Sequence, residues 1–151
     1  MCSYERLVQD ANTMGLEIVE KHFKSDAKGL CKGAKIGIRK DMPKIEKACI
    51  LAEEIGHYYT TTGNILNQRD IGNKKQEMKA RKWAVDKMIS IEDLFRAAEQ
   101  PCRNLFEIAE YLDVTEAFLL EALEVFKKRY GHSYTYEGKT IVFCDYGFCI
   151  K

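Results

Sequence analysis

The stretch KACILAEEIGHYYT, residues 47–60, combines a helical pattern of apolar residues with three side chains that can hold a proton or a metal ion. The apolar positions in it and just before it recur at intervals of three and four residues: Ile45, Ala48, Cys49, Ala52, Ile55 and Gly56. Such spacing places them on one face of a helix. Asp41 and Pro43 stand where a helix cap and an early helical residue belong. The sequence therefore predicts a helix that packs against a core and ends near Thr60.

Shorter elements are predicted on both sides of this helix from periodicity and from Gly, Pro and Asn punctuation. In chain order they are a helix from Ser3, a strand over residues 16–20, a hairpin of short strands over residues 30–38, a loop over residues 60–73, and helices over residues 75–88 and 91–98. The N-terminal strands would make a small sheet beside the helices.

The last third of the chain has a different pattern. Two apolar-patterned helices, residues 105–112 and 115–129, are joined by Asp113-Val114-Thr115, and a β-hairpin with a turn at Glu137-Gly138 follows. The helix pair resembles a helix-turn-helix with the hairpin as a wing. However, the second helix is predicted to expose three carboxylates, Glu116, Glu121 and Glu124, which would repel a phosphate backbone. We therefore favour a structural cap or a docking surface for a protein partner over nucleic-acid binding.

Composition and charge restrict the class of protein. The 151 residues are 46% hydrophobic, which suffices for a packed interior, and 24 Lys and Arg against 23 Asp and Glu leave a net charge of +1. No overall field therefore recruits nucleic acid or an anionic membrane. The chain shows no secretory signal and no apolar stretch of bilayer-spanning length, and its six cysteines form no C-x-x-C pair. We expect a cytoplasmic protein with reduced thiols and no membrane partner.

The central helix carries the residues with catalytic potential. At about 100° per residue, Glu53 and His57 project only roughly 40° apart on successive turns, so both can reach one metal ion. In the zinc-peptidase pattern H-E-x-x-H, the outer residues bind zinc and the inner Glu moves the proton. Here Glu53 replaces the first histidine, His57 is the second ligand and Glu54 is the predicted base. The alternative is that all three are solvated surface groups, which is commoner on amphipathic helices.

A catalytic zinc needs a third protein ligand and one open position. Glu77 is the best candidate, because it stands near the start of the next predicted helix and is followed by Ala80 and Ala84, small residues that would allow a close approach of the two helices. Asp70, in the predicted loop, is a weaker alternative.

Tyr58 and Tyr59 are candidate transition-state stabilisers. A phenol beside a metal site can donate a hydrogen bond to the oxyanion that forms during acyl transfer. Packing is the commoner role for such tyrosines, and it is the interpretation that we rank first.

These residues resemble the ImmA/IrrE metallo-endopeptidases, specifically the small members encoded by phages and integrative elements of Gram-positive bacteria. Residues 47–60, 76–84 and 108–115 carry the resemblance. It implies that His57 is a metal ligand and Glu54 the catalytic base, and that Glu77, ahead of an alanine-rich segment, is the ligand on the following helix. Glu53 departs from the family pattern, in which a histidine occupies that position.

The resemblance also implies a fold and a domain organisation. The fold would be α+β: a mainly helical, zincin-like minimal metallopeptidase core with a small N-terminal β-sheet, then a helix-turn-helix-like helix pair and a C-terminal β-hairpin. Residues 1–99 would form the metallopeptidase-like core, and residues 100–151 the helical subdomain with the terminal hairpin.

The implied cofactor is Zn²⁺. Exchanging a neutral imidazole for the Glu53 carboxylate adds negative charge at the metal, which should weaken its polarising power. A set of two carboxylates and one histidine also suits harder ions, so Mn²⁺ is the alternative.

The implied function is cleavage of a helix-turn-helix repressor encoded by the same phage or mobile element, which derepresses its genes. Two alternatives stay open. One is a catalytically impaired protein of the same fold that binds the repressor, and the other, which we rank last, is a DNA-binding regulator acting through the terminal helix pair.

Overall fold

The computed structural model of the chain describes residues 3–60, 71–102 and 104–151. Within these ranges it contains six α-helices and two three-stranded sheets, so the protein is α+β and mainly helical, as the sequence predicts. None of the helices in these ranges is long and apolar enough to cross a bilayer. The chain divides into two compact units, Met1–Met88 and Ile89–Lys151. The functional division between residues 1–99 and 100–151 stays a prediction.

The first unit contains three helices and one sheet. Its elements are α1 (Ser3–Thr13), β1 (Glu17–Lys21), β2 (Gly29–Lys32), β3 (Lys35–Arg39), α2 (Lys44–Thr60) and α3 (Ile71–Met88). The central strand β3 pairs antiparallel with β2, which confirms the predicted hairpin, and parallel with β1. Among the described strands, β2 pairs with β3 alone, so its other edge is open there.

Helix α2 packs against α1, α3, β2 and β3. Its buried residues are Ala48, Cys49, Leu51, Ala52, Ile55 and Gly56, which confirms most of the predicted apolar stripe. Ile45 is the exception: it is 39% exposed because the first turn of α2 lies at the surface, where Lys44 is exposed as well.

Helix α3 begins earlier than the sequence pattern predicts. The polar stretch 60–73, rich in Thr, Asn, Gly and Asp, predicts a loop, but its last three residues, 71–73, lie in α3. Propensity is a weak prior that helix continuity overrides. Residues 61–70, the rest of that predicted loop, lie outside the described residues, and Thr60 is the last residue of α2.

The second unit contains three helices and one sheet. Its elements are α4 (Ile91–Ala98), α5 (Leu105–Leu112), α6 (Glu116–Tyr130), β4 (Ser133–Tyr136), β5 (Lys139–Cys144) and β6 (Gly147–Ile150). Asp113, in the left-handed region at φ 57°, ends α5, and the Thr115 side chain caps α6 by accepting from Phe118 N–H. The predicted helix pair is therefore confirmed.

The second sheet is antiparallel, with β5 between β4 and β6. The predicted turn carries positive φ at both Glu137 (50°) and Gly138 (79°), which suits a two-residue hairpin. The predicted hairpin is formed by β4 and β5, but β6 pairs with β5 as a third strand that the sequence does not predict. That strand is only four residues long and includes a glycine, so its sequence carries little strand signal.

Candidate active site

The end of α2 lies beside α3 at the point where His57 meets Glu77. The His57 Nε2 and Glu77 Oε2 atoms are 3.6 Å apart, and the two side chains are 25% and 59% exposed. The approach of the helices is very close one residue earlier: a Cβ added to Gly56 would lie 2.5 Å from the Ala80 carbonyl oxygen. Ala80 and Ala84 are fully buried, so small residues do bring α3 against α2 as the sequence indicates.

The His57 and Glu77 donor atoms fit two ligands of one metal ion. Two ligand atoms at zinc-binding distance in a tetrahedral arrangement are about 3.4 Å apart, and the observed separation is 3.6 Å. Within the described ranges, no group of three or more His, Cys, Asp and Glu side chains is arranged to hold an ion. The structure thus brings together two donors; Glu53, half-buried on α2, stays a predicted third ligand. Asp70 lies outside the described residues.

The side chain of Glu54 projects from α2 toward strand β2. It is half-buried, and a Cβ added to Gly29 of β2 would lie 3.1 Å from its Cγ and 3.3 Å from its Oε1. Burial raises the pKa of the Glu54 carboxyl; the positive charge of His57 opposes the rise and the negative charge of Glu77 adds to it. A raised pKa suits a group that must accept a proton and later release it near neutral pH.

The sequence does not indicate that two residues of β2, Gly29 and Cys31, lie beside Glu54. Gly29 contacts the Glu54 side chain as described, and the Cys31 thiol has a raised pKa because it is partly buried and also faces the negative charge of Glu54. Nothing in the spacing links residues 29–31 to Glu54. The one usable signal is a glycine inside a strand, which often marks a close approach of another group.

Tyr58 and Tyr59 belong to an aromatic cluster. Tyr59 stacks on Trp83 with ring centroids 5.6 Å apart and meets Tyr58 edge-on at 5.2 Å. Its hydroxyl donates to Met14 Sδ. These contacts are what the packing interpretation of Tyr59 requires, whereas a stabilising role for either tyrosine stays a prediction.

A helix that carries Glu54 and His57, packed on a second helix that brings Glu77 to the same histidine, is the arrangement that a metallopeptidase needs. The family model for the IrrE N-terminal-like domain, Peptidase_M78, matches residues 11–124, about three quarters of the chain. The chain therefore belongs to this family, as the resemblance implies, and its function is of the metallopeptidase type, which entails a protein substrate and a metal cofactor in general. The comparisons with curated proteins and with solved structures gave no match.

Proposed function

We propose that the protein is a metal-dependent endopeptidase of the cytoplasm that cleaves a helix-turn-helix repressor of a phage or mobile element and so derepresses its genes. The observation that carries the proposal is the meeting of His57 and Glu77, 3.6 Å apart, beside a half-buried carboxyl whose pKa is raised. The metal is Zn²⁺, with Mn²⁺ as the alternative, and its ligands are Glu53, His57 and Glu77.

The proposed mechanism assigns the proton transfers to Glu54. A bound metal ion supplies Lewis acidity toward the scissile carbonyl. Glu54 accepts a proton from the attacking water as its oxygen bonds to the carbonyl carbon, and it passes that proton to the amide nitrogen as the C–N bond breaks. Tyr58 is the better placed of the two tyrosines to donate to the oxyanion, because the hydroxyl of Tyr59 is engaged by Met14.

The unpaired edge of β2 is an argument that the substrate is a peptide. An extended segment can add to an exposed strand edge through main-chain hydrogen bonds. Among the described strands, β2 has such an edge, and it is the strand against which Glu54 lies. A peptide held there would have its backbone close to the proposed base.

The second unit supports a protein partner better than a nucleic acid. Its helices expose large apolar side chains, Phe106 (56%), Tyr111 (46%) and Leu120 (37%), as interaction surfaces do. Glu116 and Glu124 of α6 are exposed, as the sequence predicts, and would repel phosphate. Glu121 was expected to be exposed too, but it is half-buried because it sits on the packed side of α6 beside Ala122 and Val125.

The test is incubation of the purified protein with a helix-turn-helix repressor encoded beside it, in Zn²⁺, in Mn²⁺ and with chelator. Fragments that appear only with metal, and that Glu54→Gln abolishes, support the endopeptidase. Intact repressor in a stable complex under every metal would instead support the second candidate, a repressor-binding module that has lost hydrolysis. The observation that favours this candidate is Glu53 in the place of a histidine.

A further inference from the structure

The backbone conformation of residue 29 does not explain why this residue is a glycine. The glycines at 15, 33, 131 and 138 have φ between 60° and 85°, a region that other residues rarely adopt, and a Cβ on any of them would meet nothing within 4 Å. Gly29 lies in regular strand β2, opposite Ile38 of β3, and has no such φ. A residue with a side chain could adopt its backbone conformation, so the reason for glycine must be space.

The space in front of Gly29 is filled by two side chains of α2. A Cβ there would lie 2.7 Å from Ile50 Cγ2, 3.1 Å from Glu54 Cγ and 3.3 Å from Glu54 Oε1. Real Cβ contacts essentially never fall below 3.0 Å, so Ile50 must shift, and contacts of 3.0–3.4 Å require Glu54 to give way as well. The strand itself cannot easily retreat, because Gly29 is registered against the fully buried Ile38.

We propose that Gly29 is a positioning residue for Glu54: the missing side chain at this position lets the Glu54 carboxylate lie against β2, next to the open strand edge. This inference rests on the proposed endopeptidase function. Gly29 itself touches no reacting atom. It acts by fixing where the base stands relative to a peptide on the β2 edge and to the His57–Glu77 pair.

The contact with Ile50 offers a way to separate positioning from packing. Gly29→Ala alone would strain both Ile50 and Glu54, so a loss of activity could reflect either. Ile50→Ala removes the Cγ2 atom that the new Cβ would strike and leaves Glu54 as the affected side chain. The informative comparison is therefore between Ile50→Ala and the double variant Gly29→Ala/Ile50→Ala, both also measured for thermal stability and zinc content.

The expected result is a kcat for repressor cleavage that is several-fold lower in the double variant than in Ile50→Ala. The loss should be smaller than the roughly 100-fold cost of a 1 Å misplacement, because Glu54 must give way by only a few tenths of an ångström. KM, melting temperature and zinc content should match between the two, because substrate binding and packing are unchanged. Equal kcat in the two variants would overturn the proposal.

Crystal structures of the same two variants give a readout that does not need activity. The proposal expects the Glu54 carboxylate of the double variant to be displaced by a few tenths of an ångström from its place in Ile50→Ala, which is the shift that contacts of 3.1 and 3.3 Å require. An unmoved carboxylate overturns it. If the wild type cleaves nothing, the endopeptidase function fails, and these structures still decide whether Gly29 positions Glu54.

Discussion

Gly56 of α2 lies so close to Ala80 of α3 that a Cβ at position 56 would come within 2.5 Å of the Ala80 carbonyl oxygen. The neighbouring residue, His57, is the one that meets Glu77 of α3 at 3.6 Å. The contact between the helix backbones and the contact between the candidate ligands are therefore set by the same packing.

Gly56→Ala should destabilise the fold. Alanine favours a helix interior over glycine by about 1 kcal/mol, but overpacking costs about 1–3 kcal/mol, and a backbone carbonyl cannot rotate away as a side chain can. We expect a net loss of up to roughly 2 kcal/mol in the free energy of unfolding, measured by urea denaturation. Gly147→Ala is the matched control, since its Cβ would meet only Leu105 methyl carbons at an ordinary 3.9 Å. A Gly56→Ala protein at least as stable as wild type would contradict the close approach.

Glu77→Gln should weaken metal binding. The amide keeps the size of the side chain but removes the charge that faces His57. Because loss of an outer-shell partner alone costs about 10–100-fold in metal affinity, loss of Glu77 as a proposed ligand should cost no less than about 10-fold. Calorimetric titration with Zn²⁺ measures it. Glu124→Gln, at an exposed position of α6, serves as the control and should bind as wild type does.

Glu53→His should raise activity with Zn²⁺. A neutral imidazole in place of the carboxylate lowers the negative charge at the metal and strengthens its pull on the substrate carbonyl. A gain of about tenfold in kcat/KM would correspond to roughly 1.4 kcal/mol in activation free energy. The comparison is made at equal zinc occupancy, with Glu53→Gln as the variant that removes charge without adding a nitrogen ligand. A fall in activity for Glu53→His would argue that Glu53 does not act as a ligand.

Tyr59→Phe should leave cleavage nearly unchanged. The ring keeps its stack on Trp83, and the lost hydroxyl was donating to Met14 rather than facing the site. Tyr59→Ala should instead lose stability, by more than the roughly 0.5–1.5 kcal/mol of an aromatic pair, because ring burial is lost as well. For comparison, removal of a true oxyanion donor costs about 10²–10³ in kcat, and a loss of that size in Tyr59→Phe would refute the packing role.

Glu20→Gln should lose stability in a pH-dependent way. The hydrogen bond from Lys47, whose side chain is only 12% exposed, lowers the pKa of the Glu20 carboxyl below its ordinary value. A carboxyl with a depressed folded-state pKa stabilises the fold above its unfolded pKa, and this stability is lost as pH falls through the folded value. The difference in the free energy of unfolding between wild type and variant should therefore be largest near pH 7 and should decrease below about pH 4.5. Thermal unfolding across that range tests it, and a difference that widened in acid would be the wrong sign.

Local signals in the sequence predicted most of the helices. The bounds of α4 match the prediction, and Ser90 and Asp93 close a capping box at its start. The α5–α6 turn follows from Asp113, one of the short polar residues that tolerate the left-handed region. The approach of α3 to α2 could be anticipated from the small residues Ala80 and Ala84, and with it the proximity of Glu77 to His57.

Other contacts between residues far apart in the chain could not be predicted from the sequence. The parallel pairing of β1 with β3 and the addition of β6 depend on which edges are left open after the hairpins form, and no single segment encodes that. The same holds for Gly29: its contact with Glu54 joins a strand and a helix 25 positions apart. A sequence shows that such a glycine exists, but only packing shows which side chain needs its space.

The two donors that meet at 3.6 Å arise 20 positions apart in the chain and on different helices. During synthesis the histidine leaves the ribosome well before the glutamate, and the pair forms only once α3 has docked. The pair of donor atoms is therefore a property of the packed first unit rather than of either helix alone, and the proposed activity would appear only in the native fold.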